Sequence, residues 1–124
     1  MTRAEKTKFC HDWLSAWTGN QPEKLRSFYS AGAFYRDPGK PEGITGAELL
    51  PYFKKLLARN PRWVWESVEV LPTDKGFCLK WKATIPVHNQ IIYETGLDII
   101  ELHDGKITRN EVYFDRTELL KALN

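Results

Sequence analysis

Residues 77–85, FCLKWKATI, decide the fold of this chain. Every second residue of the stretch is apolar, namely Phe77, Leu79, Trp81, Ala83 and Ile85. Cysteine, lysine and threonine lie between them. Alternation with a period of two is typical of a β-strand that has one dry face and one wet face. The stretch therefore predicts a strand that turns large rings toward an interior.

Three further segments predict strands around this one: Trp63–Leu71, Gln90–Leu102 and Lys106–Asp115. Turn sequences containing Gly, Asp and Asn separate the strands, at residues 74–76, 88–89 and 104–105. Because these breaks are short, consecutive strands are expected to pair antiparallel. The second half of the chain is thus predicted to be a four-stranded meander.

The first half of the chain has helical spacing instead. Apolar residues recur every three or four positions over residues 9–17 and predict a helix. A second helix is predicted over residues 20–32, with Phe28 and Tyr29 on its apolar face. A short extended piece, residues 33–37, follows it. This half is therefore expected to be mainly helical.

Two capping patterns predict where the remaining helices begin. Thr45 and Glu48 form a capping box ahead of an apolar helical run. Pro51 lies early in that run and removes a backbone hydrogen bond, so an irregular first turn is expected. Asp115 and Glu118 predict the start of a terminal helix in the same way.

Helices followed by a meander of strands indicate an α+β fold. The helices can bury their apolar faces only in the concave face of a strongly curved sheet. Such an arrangement leaves a cavity wherever the helices do not reach. At 124 residues the chain is expected to form one domain, residues 1–124.

Charge and composition limit the partners of the chain. The net charge is +2 and both signs are interleaved, so no basic stripe for a nucleic acid is present. No apolar run is long enough to span a membrane. Cys10 and Cys78 lack any motif spacing and are expected to be buried free thiols, which favours a cytoplasmic location. Neither a metal nor a cofactor is expected, since no ligand cluster or phosphate-binding loop occurs.

Several short motifs follow one another in a distinctive order. They are Trp13–Trp17 (WLSAW), Phe28–Tyr29, Ala33–Pro38 (AFYRDP), Gly46, Gly96–Asp98 (GLD) and Asp104–Ile107 (DGKI). In this order the chain resembles the nuclear transport factor 2-like superfamily, which includes SnoaL-like polyketide cyclases and ketosteroid isomerases. The resemblance implies a cone-shaped, curved antiparallel sheet wrapped around three N-terminal helices, with one apolar pocket, as in cystatin-like folds.

The same resemblance implies roles for two aspartates. Asp37, which precedes Pro38, matches the general base of ketosteroid isomerases. Asp98 matches the aspartic acid that donates a hydrogen bond to the developing oxyanion in those enzymes. Trp13 occupies the position of their oxyanion-hole tyrosine. An indole N–H is far less acidic than a phenol, which argues against steroid isomerase activity.

Strand alternation gives a separate reason to consider Asp98. Its side chain shares a strand face with Ile92, Ile100 and Leu102, so it is expected to point into the interior. A charged carboxylate is costly there, and the usual responses are a raised pKa or a bonding partner. Asp98 is thus either a functional acid or a carboxyl satisfied by backbone or water.

Asp37 has two interpretations as well. It shares a strand face with Ala33 and Tyr35. Two carboxyl groups in one dry pocket repel, which would drive one toward its protonated form and supply an acid–base pair with Asp98. The alternative is an Asp–Pro turn in which the side chain binds local amides.

The predicted pocket lining contains eight further residues: Trp13, Trp17, Tyr35, Tyr52, Phe77, Trp81, Asn110 and Phe114. The large rings either line a cavity or fill it, and the pattern leaves both open. Glu94 lies on the Asp98 face of a regular strand. A bulge at Gly96 is expected to turn it toward solvent.

Two functions follow from these residues. The first is a cofactor-free isomerase or cyclase that acts on a small apolar or aromatic molecule, with Asp37 as base and Asp98 as acid. The second is a non-catalytic module of the same shape that binds a hydrophobic ligand or a partner protein. An epoxide hydrolase is a third option and would need an Asp–Arg–Asp arrangement around water. By the resemblance, a homodimer through the outer sheet face at Lys80, Lys82 and Thr84 is also expected.

Overall fold

The computed structural model describes residues 1–124 as four α-helices and one curved six-stranded sheet. The helices are α1 (Arg3–Thr18), α2 (Pro22–Arg26), α3 (Leu49–Arg59) and α4 (Thr117–Leu123). The strands are β1 (Tyr29–Asp37), β2 (Lys40–Thr45), β3 (Val64–Thr73), β4 (Gly76–Val87), β5 (Gln90–His103) and β6 (Lys106–Tyr113). The expected α+β fold is confirmed.

The sheet has the strand order β2-β1-β6-β5-β4-β3. All neighbours pair antiparallel except β1 and β6, which run parallel. Strands β2 and β3 form its two edges, so the sheet is open and does not close into a barrel. The predicted meander corresponds to β3 to β6, and β1 joins it beside its last strand.

Strand β4 forms the floor of the core, as its alternation predicts. Phe77, Leu79, Ala83 and Ile85 are completely buried, and Trp81 is 3% exposed. The pairing of β4 with β5 is continuous from the Gly76–Glu101 pair to the Val87–Gln90 pair. This unbroken register fixes which β5 side chains face inward, because strand residues point alternately to the two faces.

The second predicted helix is wrong over most of its length. Asn20 has a φ of 54°, so it ends the preceding helix region rather than starting a new one. Its side-chain Nδ2 donates a hydrogen bond to the Leu57 carbonyl. Pro22 then opens α2, which lasts only five residues. Phe28 and Tyr29 lie beyond it, and Tyr29 begins a strand that pairs with β6.

Strand β2 was not predicted from the sequence. It contains Pro41 and Gly43, residues that are depleted in strands, and it lies at a sheet edge, where Pro is tolerated. The following helix begins as expected, because Thr45 N–H donates to Glu48 Oε1 at 3.2 Å. A 3₁₀ turn (Gly46–Glu48) precedes α3, which is the irregular first turn expected before Pro51.

The β-bulge predicted at Gly96 is absent, so this prediction is wrong. No bulge interrupts β5, and Gly96 pairs directly with Trp81. A Cβ atom at position 96 would overlap the Trp81 indole, which lies across the glycine. Glu94 therefore stays on the inner face and is 9% exposed, contrary to the expected solvent exposure.

The chain ends with α4, which packs over the open end of the core. Asp115 Oδ1 accepts the Thr117 N–H at 2.9 Å just ahead of this helix, but the N-cap residue is Arg116, which has no side-chain capping bond, so the predicted Asp115–Glu118 cap is wrong. Cys10 is a fully buried free thiol, whereas Cys78 is only partly buried because it lies on the outer sheet face. None of the helices has the length and hydrophobicity needed to cross a membrane.

The contact between Gly96 and Trp81 gives a prediction about stability. Gly96→Ala should lower the free energy of unfolding by about 1–3 kcal/mol, because the new methyl group overpacks the core against the indole. Gly32→Ala in β1 is the matched control, since a Cβ at position 32 meets no atom within 4 Å. Urea unfolding of both variants measures the difference. Equal stability of the two would contradict the packing described here.

Candidate functional site

A cavity of about 290 Å³ lies between the inner sheet face and the helices α1, α3 and α4. Of its 21 lining residues, 14 are hydrophobic. Aromatic rings dominate the lining: Trp13, Trp17, Tyr35, Tyr52, Trp63, Trp65, Trp81 and Phe114. The rings thus surround the cavity without filling it. Its size lies near the lower end of the range for small-molecule sites, which is about 300–1,000 Å³.

The cavity has a closed end and an open end. Trp13, Trp81 and Asp98 form the closed end, and each is at most 3% exposed. At the opposite end, Leu120 and Leu123 of α4 line the cavity and are about half exposed. A ligand would therefore enter beside α4 and reach Asp98 last.

Asp98 is held at the closed end by two side-chain donors. Trp81 Nε1 donates to Asp98 Oδ1 at 2.6 Å, and Asn110 Nδ2 donates to Asp98 Oδ2 at 2.9 Å. Gly96 makes the first bond reachable, because its missing side chain lets the indole lie across β5 toward position 98. A carboxyl group has about four acceptor positions, so two remain for a proton or a ligand.

A chain of hydrogen bonds continues behind Asp98. Tyr29 hydroxyl donates to Asn110 Oδ1 at 2.7 Å and accepts from Trp13 Nε1 at 3.3 Å. Every member of this chain is buried. The Trp13 N–H is consequently directed to Tyr29 rather than to the cavity. Trp13 thus anchors the network and offers its ring, not its donor, to a ligand.

The environment of Asp98 shifts its titration strongly. Burial without a cationic partner raises the pKa of the carboxyl from 3.8 to about 7. The hydrogen bonds from Asn110 and Trp81 oppose this rise, and the negative charge of Asp37 adds to it. Asp98 therefore changes its protonation state near neutral pH, which is where an acid or base catalyst is most effective.

Asp37 is the second carboxyl group in the cavity wall, and three groups donate hydrogen bonds to it. Tyr35 hydroxyl donates to Oδ2 at 2.8 Å, and Tyr52 hydroxyl lies 2.9 Å from both oxygens. Gly39 N–H donates to Oδ1 at 2.9 Å, so the predicted Asp–Pro turn bond is also present. Asp37 therefore lines the cavity and also forms the hydrogen bond of the local turn.

The structure places eight of the ten sequence-predicted site residues in the cavity wall. These are Asp37, Asp98, Trp13, Trp17, Tyr35, Tyr52, Trp81 and Phe114. Phe77 does not line it; its ring is fully buried and packs edge-on against Phe9. Asn110 also lies behind the wall, where it bonds to Asp98 and not to the cavity.

Several wall residues were missed by the sequence reasoning. Trp63 and Trp65 lie at the start of the first long strand, and their rings stack at 5.4 Å. Arg59, Arg116 and the leucines of α4 were missed because nothing in a sequence indicates which helix ends close a cavity. Tyr29 was missed as well; it does not line the cavity but bonds to Asn110 behind Asp98, and a register shift separates it from the regular part of β1.

Glu94 is a third inward carboxyl group, outside the cavity wall. Its Oε1 is buried and has no hydrogen-bond partner. Burial raises its pKa, and the charge of Asp115 adds to the effect.

Arg109, which an epoxide hydrolase site would need, lies on the outer face and pairs with Glu101 and Glu111. No group of three His, Cys, Asp or Glu side chains is placed to hold a metal ion.

The closed end can therefore donate or accept one proton in a dry, aromatic space. Asp98 supplies a group that titrates near neutrality, and Asp37 supplies a second carboxyl in the same wall. This is the arrangement needed for proton transfer to and from a small molecule. It also suits simple retention of an aromatic molecule with one polar group.

Known structures share this architecture. A nuclear transport factor 2-like protein of unknown function from Burkholderia pseudomallei superposes with a TM-score of 0.82 at 10% identity, covering 100% of this chain and 99% of that one. A protein with a ketosteroid isomerase-like fold from Catenulispora acidiphila, in complex with trimethylamine, has a TM-score of 0.79 at 16% identity, with coverages of 92% and 90%. TerC co-crystallised with polyporic acid has a TM-score of 0.80 at 13% identity, with coverages of 95% and 97%.

The family comparison agrees with these structures. No curated protein is significantly similar to the chain. The family model described as the SnoaL-like domain matches residues 10–110, which span most of the sequence. The resemblance seen in the sequence motifs is thereby confirmed: the chain belongs to the SnoaL-like domain family and has the fold of nuclear transport factor 2-like proteins.

Proposed function

We propose that this protein binds a small aromatic molecule in its cavity and transfers a proton on it without a cofactor, as an isomerase or cyclase does. Asp37 acts as the base, and Asp98 acts as the acid. The observation that carries the proposal is the buried carboxyl of Asp98, which faces the cavity and has a pKa raised to about 7.

In this mechanism a ligand carbonyl lies against Asp98 at the closed end. Protonated Asp98 keeps its two hydrogen bonds from Trp81 and Asn110 and donates its own proton to the carbonyl oxygen. The C–H proton next to the carbonyl passes to Asp37, and an enol forms. Return of a proton from Asp37 to a different carbon, together with return of the enol O–H proton to Asp98, gives the isomer and restores both aspartates. Alternatively, the enol carbon attacks a second carbonyl, whose oxygen takes the proton held by Asp37 while the enol O–H returns its proton to Asp98, and a cyclised product forms.

Asp37 must give up part of its bonding to accept that proton. Tyr52 is the group best placed to release it, since its ring lies at the cavity wall and is only partly buried. Burial and the charge of Asp37 raise the pKa of the Tyr52 phenol, so this hydroxyl stays protonated and donates. The proposal thus assigns Tyr52 the task of holding Asp37 and of releasing one of its oxygens when a ligand is bound.

The alternative is a binding module without catalysis. It is favoured by the three groups, Tyr35, Tyr52 and the Gly39 N–H, that already occupy the oxygens of Asp37. Two of the similar solved structures hold small molecules, trimethylamine and polyporic acid, and they are compatible with either function. The catalytic and binding proposals share the cavity and differ in whether the aspartates move protons.

We also propose a homodimer through the outer sheet face. Tyr93, Leu97 and Tyr113 expose 45–62% of their surface there, on adjacent strands β5 and β6. Lys82 lies over the Tyr93 ring, and Arg36 lies over the Tyr113 ring. A face with exposed aromatic rings and a neighbouring arginine resembles the composition of protein interfaces.

The titration of Asp98 predicts a pH-dependent stability. Because the folded-state pKa of about 7 lies above the usual 3.8, the folded protein holds this proton more tightly than the unfolded chain. That contribution is complete at low pH and is lost as the pH rises through 7. Relative to Asp98→Asn, the wild type should lose about 4 kcal/mol of unfolding free energy between about pH 4 and about pH 8. Asp104→Asn, in an exposed turn, should follow the wild type; parallel curves for all three proteins would show that Asp98 titrates normally.

Proton transfer can be tested with 2-tetralone, an aromatic ketone with acidic α-hydrogens. The wild type should accelerate exchange of these hydrogens for deuterium in D₂O, followed by NMR. Asp37→Asn and Asp98→Asn should each slow the exchange by about 10²–10⁴-fold. The wild-type rate should fall above pH 7, as Asp98 loses its proton. If 2-tetralone binds but exchanges equally in all variants, the non-catalytic function is correct.

The dimer is tested by sedimentation. The wild type should sediment as a dimer, and the double variant Tyr93→Glu/Leu97→Glu as a monomer, because two charges would be buried unpaired. Leu123→Glu, at the cavity opening, should remain dimeric. A monomeric wild type at micromolar concentration would refute the outer-face dimer.

A further inference from the structure

We propose that the open end of the cavity recognises an anion: Arg59 and Arg116 bind the carboxylate of an aromatic ligand whose ring enters the cavity. This inference rests on the proposed binding of a small aromatic molecule, and it adds the chemical class and the orientation of that molecule. It does not depend on whether the aspartates catalyse a reaction.

The two arginines come from different elements and meet at one opening. Arg59 is the last residue of α3, and Arg116 lies between β6 and α4. Both line the cavity. Arg116 is partly buried, and its Nη1 lies 3.7 Å from the position that a Cβ would take on Gly39. Its guanidinium therefore reaches across the opening toward the turn that follows β1.

Neither guanidinium has a partner within the protein. No carboxylate lies within 4.0 Å of Arg59 or Arg116, and neither side chain donates a hydrogen bond. Other partly buried arginines do have partners. Arg36 donates to the Val112 carbonyl, and Arg109 pairs with two glutamates. The cavity opening is thus the place where two arginines keep their donors available.

The acidic groups near the opening do not neutralise these arginines. Asp37 is 6% exposed and directs its oxygens to Tyr35, Tyr52 and Gly39. Asp115 directs a carboxylate oxygen to Thr117, and Glu118 lies near Lys121. The two guanidinium groups therefore keep their hydrogen-bond donors available next to an aromatic interior, because the nearby carboxylates are bonded to other groups.

The chemistry of this pairing selects a carboxylate. A guanidinium presents several donors in a planar fork that matches the two oxygens of a carboxylate. Aromatic rings alone would also suit an ammonium group, through cation–π attraction. The positive charges of the two arginines repel such a ligand. A ligand held by its carboxylate at the opening places its ring among the tryptophans and its far end toward Asp98.

Three bicyclic aromatic probes of similar shape and different charge test this inference. They are 2-naphthoate, 2-naphthamide and 2-naphthylmethylamine, with binding measured by calorimetry or by quenching of tryptophan fluorescence. We expect 2-naphthoate to bind at least about tenfold more tightly than the neutral amide, which corresponds to about 1.4 kcal/mol. Added salt should reduce this preference, because screening weakens charge attraction at an exposed opening.

Variants then locate the preference. Arg59→Gln/Arg116→Gln should reduce the difference between naphthoate and amide to less than about twofold, because the naphthoate affinity falls far more than the amide affinity; an unchanged far-ultraviolet circular dichroism spectrum shows that the variant is folded. Arg62→Gln is the matched control, since Arg62 is exposed, lies three residues from Arg59 and does not line the cavity. It should keep the full preference.

The outcomes separate this inference from the proposed function. Equal or tighter binding of the amide or the amine overturns the anion site while leaving the aromatic cavity intact. An equal loss in Arg62→Gln also overturns it, because the effect would then be one of overall charge. If none of the three probes binds, the proposed binding of small aromatic molecules fails and the anion site fails with it.

Discussion

The hydrogen bond from Trp81 to Asp98 is the interaction on which the site depends. An indole can cross from β4 to a carboxyl on β5 only if the residue between them has no side chain, and Gly96 meets that condition. The same bond fixes the indole as one wall of the cavity and keeps a carboxyl stable in an apolar place. One contact therefore determines both the shape of the cavity and the environment of Asp98. Loss of the Trp81 indole would widen the cavity and would also remove a hydrogen bond from Asp98.

The hydrogen bond from Trp81 to Asp98 lies between a buried hydrogen-bond network on one side and the cavity, enclosed by helices, on the other. Behind it, Asn110, Tyr29 and Trp13 form a buried chain in which each polar group has a partner. Such a chain is stabilising only when every member is satisfied. In front, α1 and α3 leave the concave face partly uncovered, and α4 covers what remains with leucines. The cavity is therefore a space that the helices surround but do not occupy.

Much of this could be predicted from the sequence, and the failures have physical reasons. Alternation placed β4 and β5 correctly and aimed Asp98 inward, because one face of each strand is buried. Glu94 was misjudged because Gly96 was interpreted as a bulge, whereas it is small to admit an indole from the next strand. Tyr29 was assigned to a helix because its spacing from Leu25 and Phe28 is helical, yet pairing with β6 decides its conformation. Arg59 and Arg116 could not be placed at one opening, since only the tertiary fold brings them together.

The parallel pairing of β1 with β6 has a consequence for the order in which the protein folds. The two strands are separated by most of the chain, and Tyr29 meets Asn110 across 81 residues. Contacts between such distant segments carry a large loop-closure entropy and form late. During synthesis on the ribosome, α1, α2 and β1 emerge first, and β1 is paired on both sides only after β6 has emerged. The binding site is consequently among the last parts of the protein to mature, and a nascent chain that stalls before β6 would expose an unpaired strand edge to aggregation.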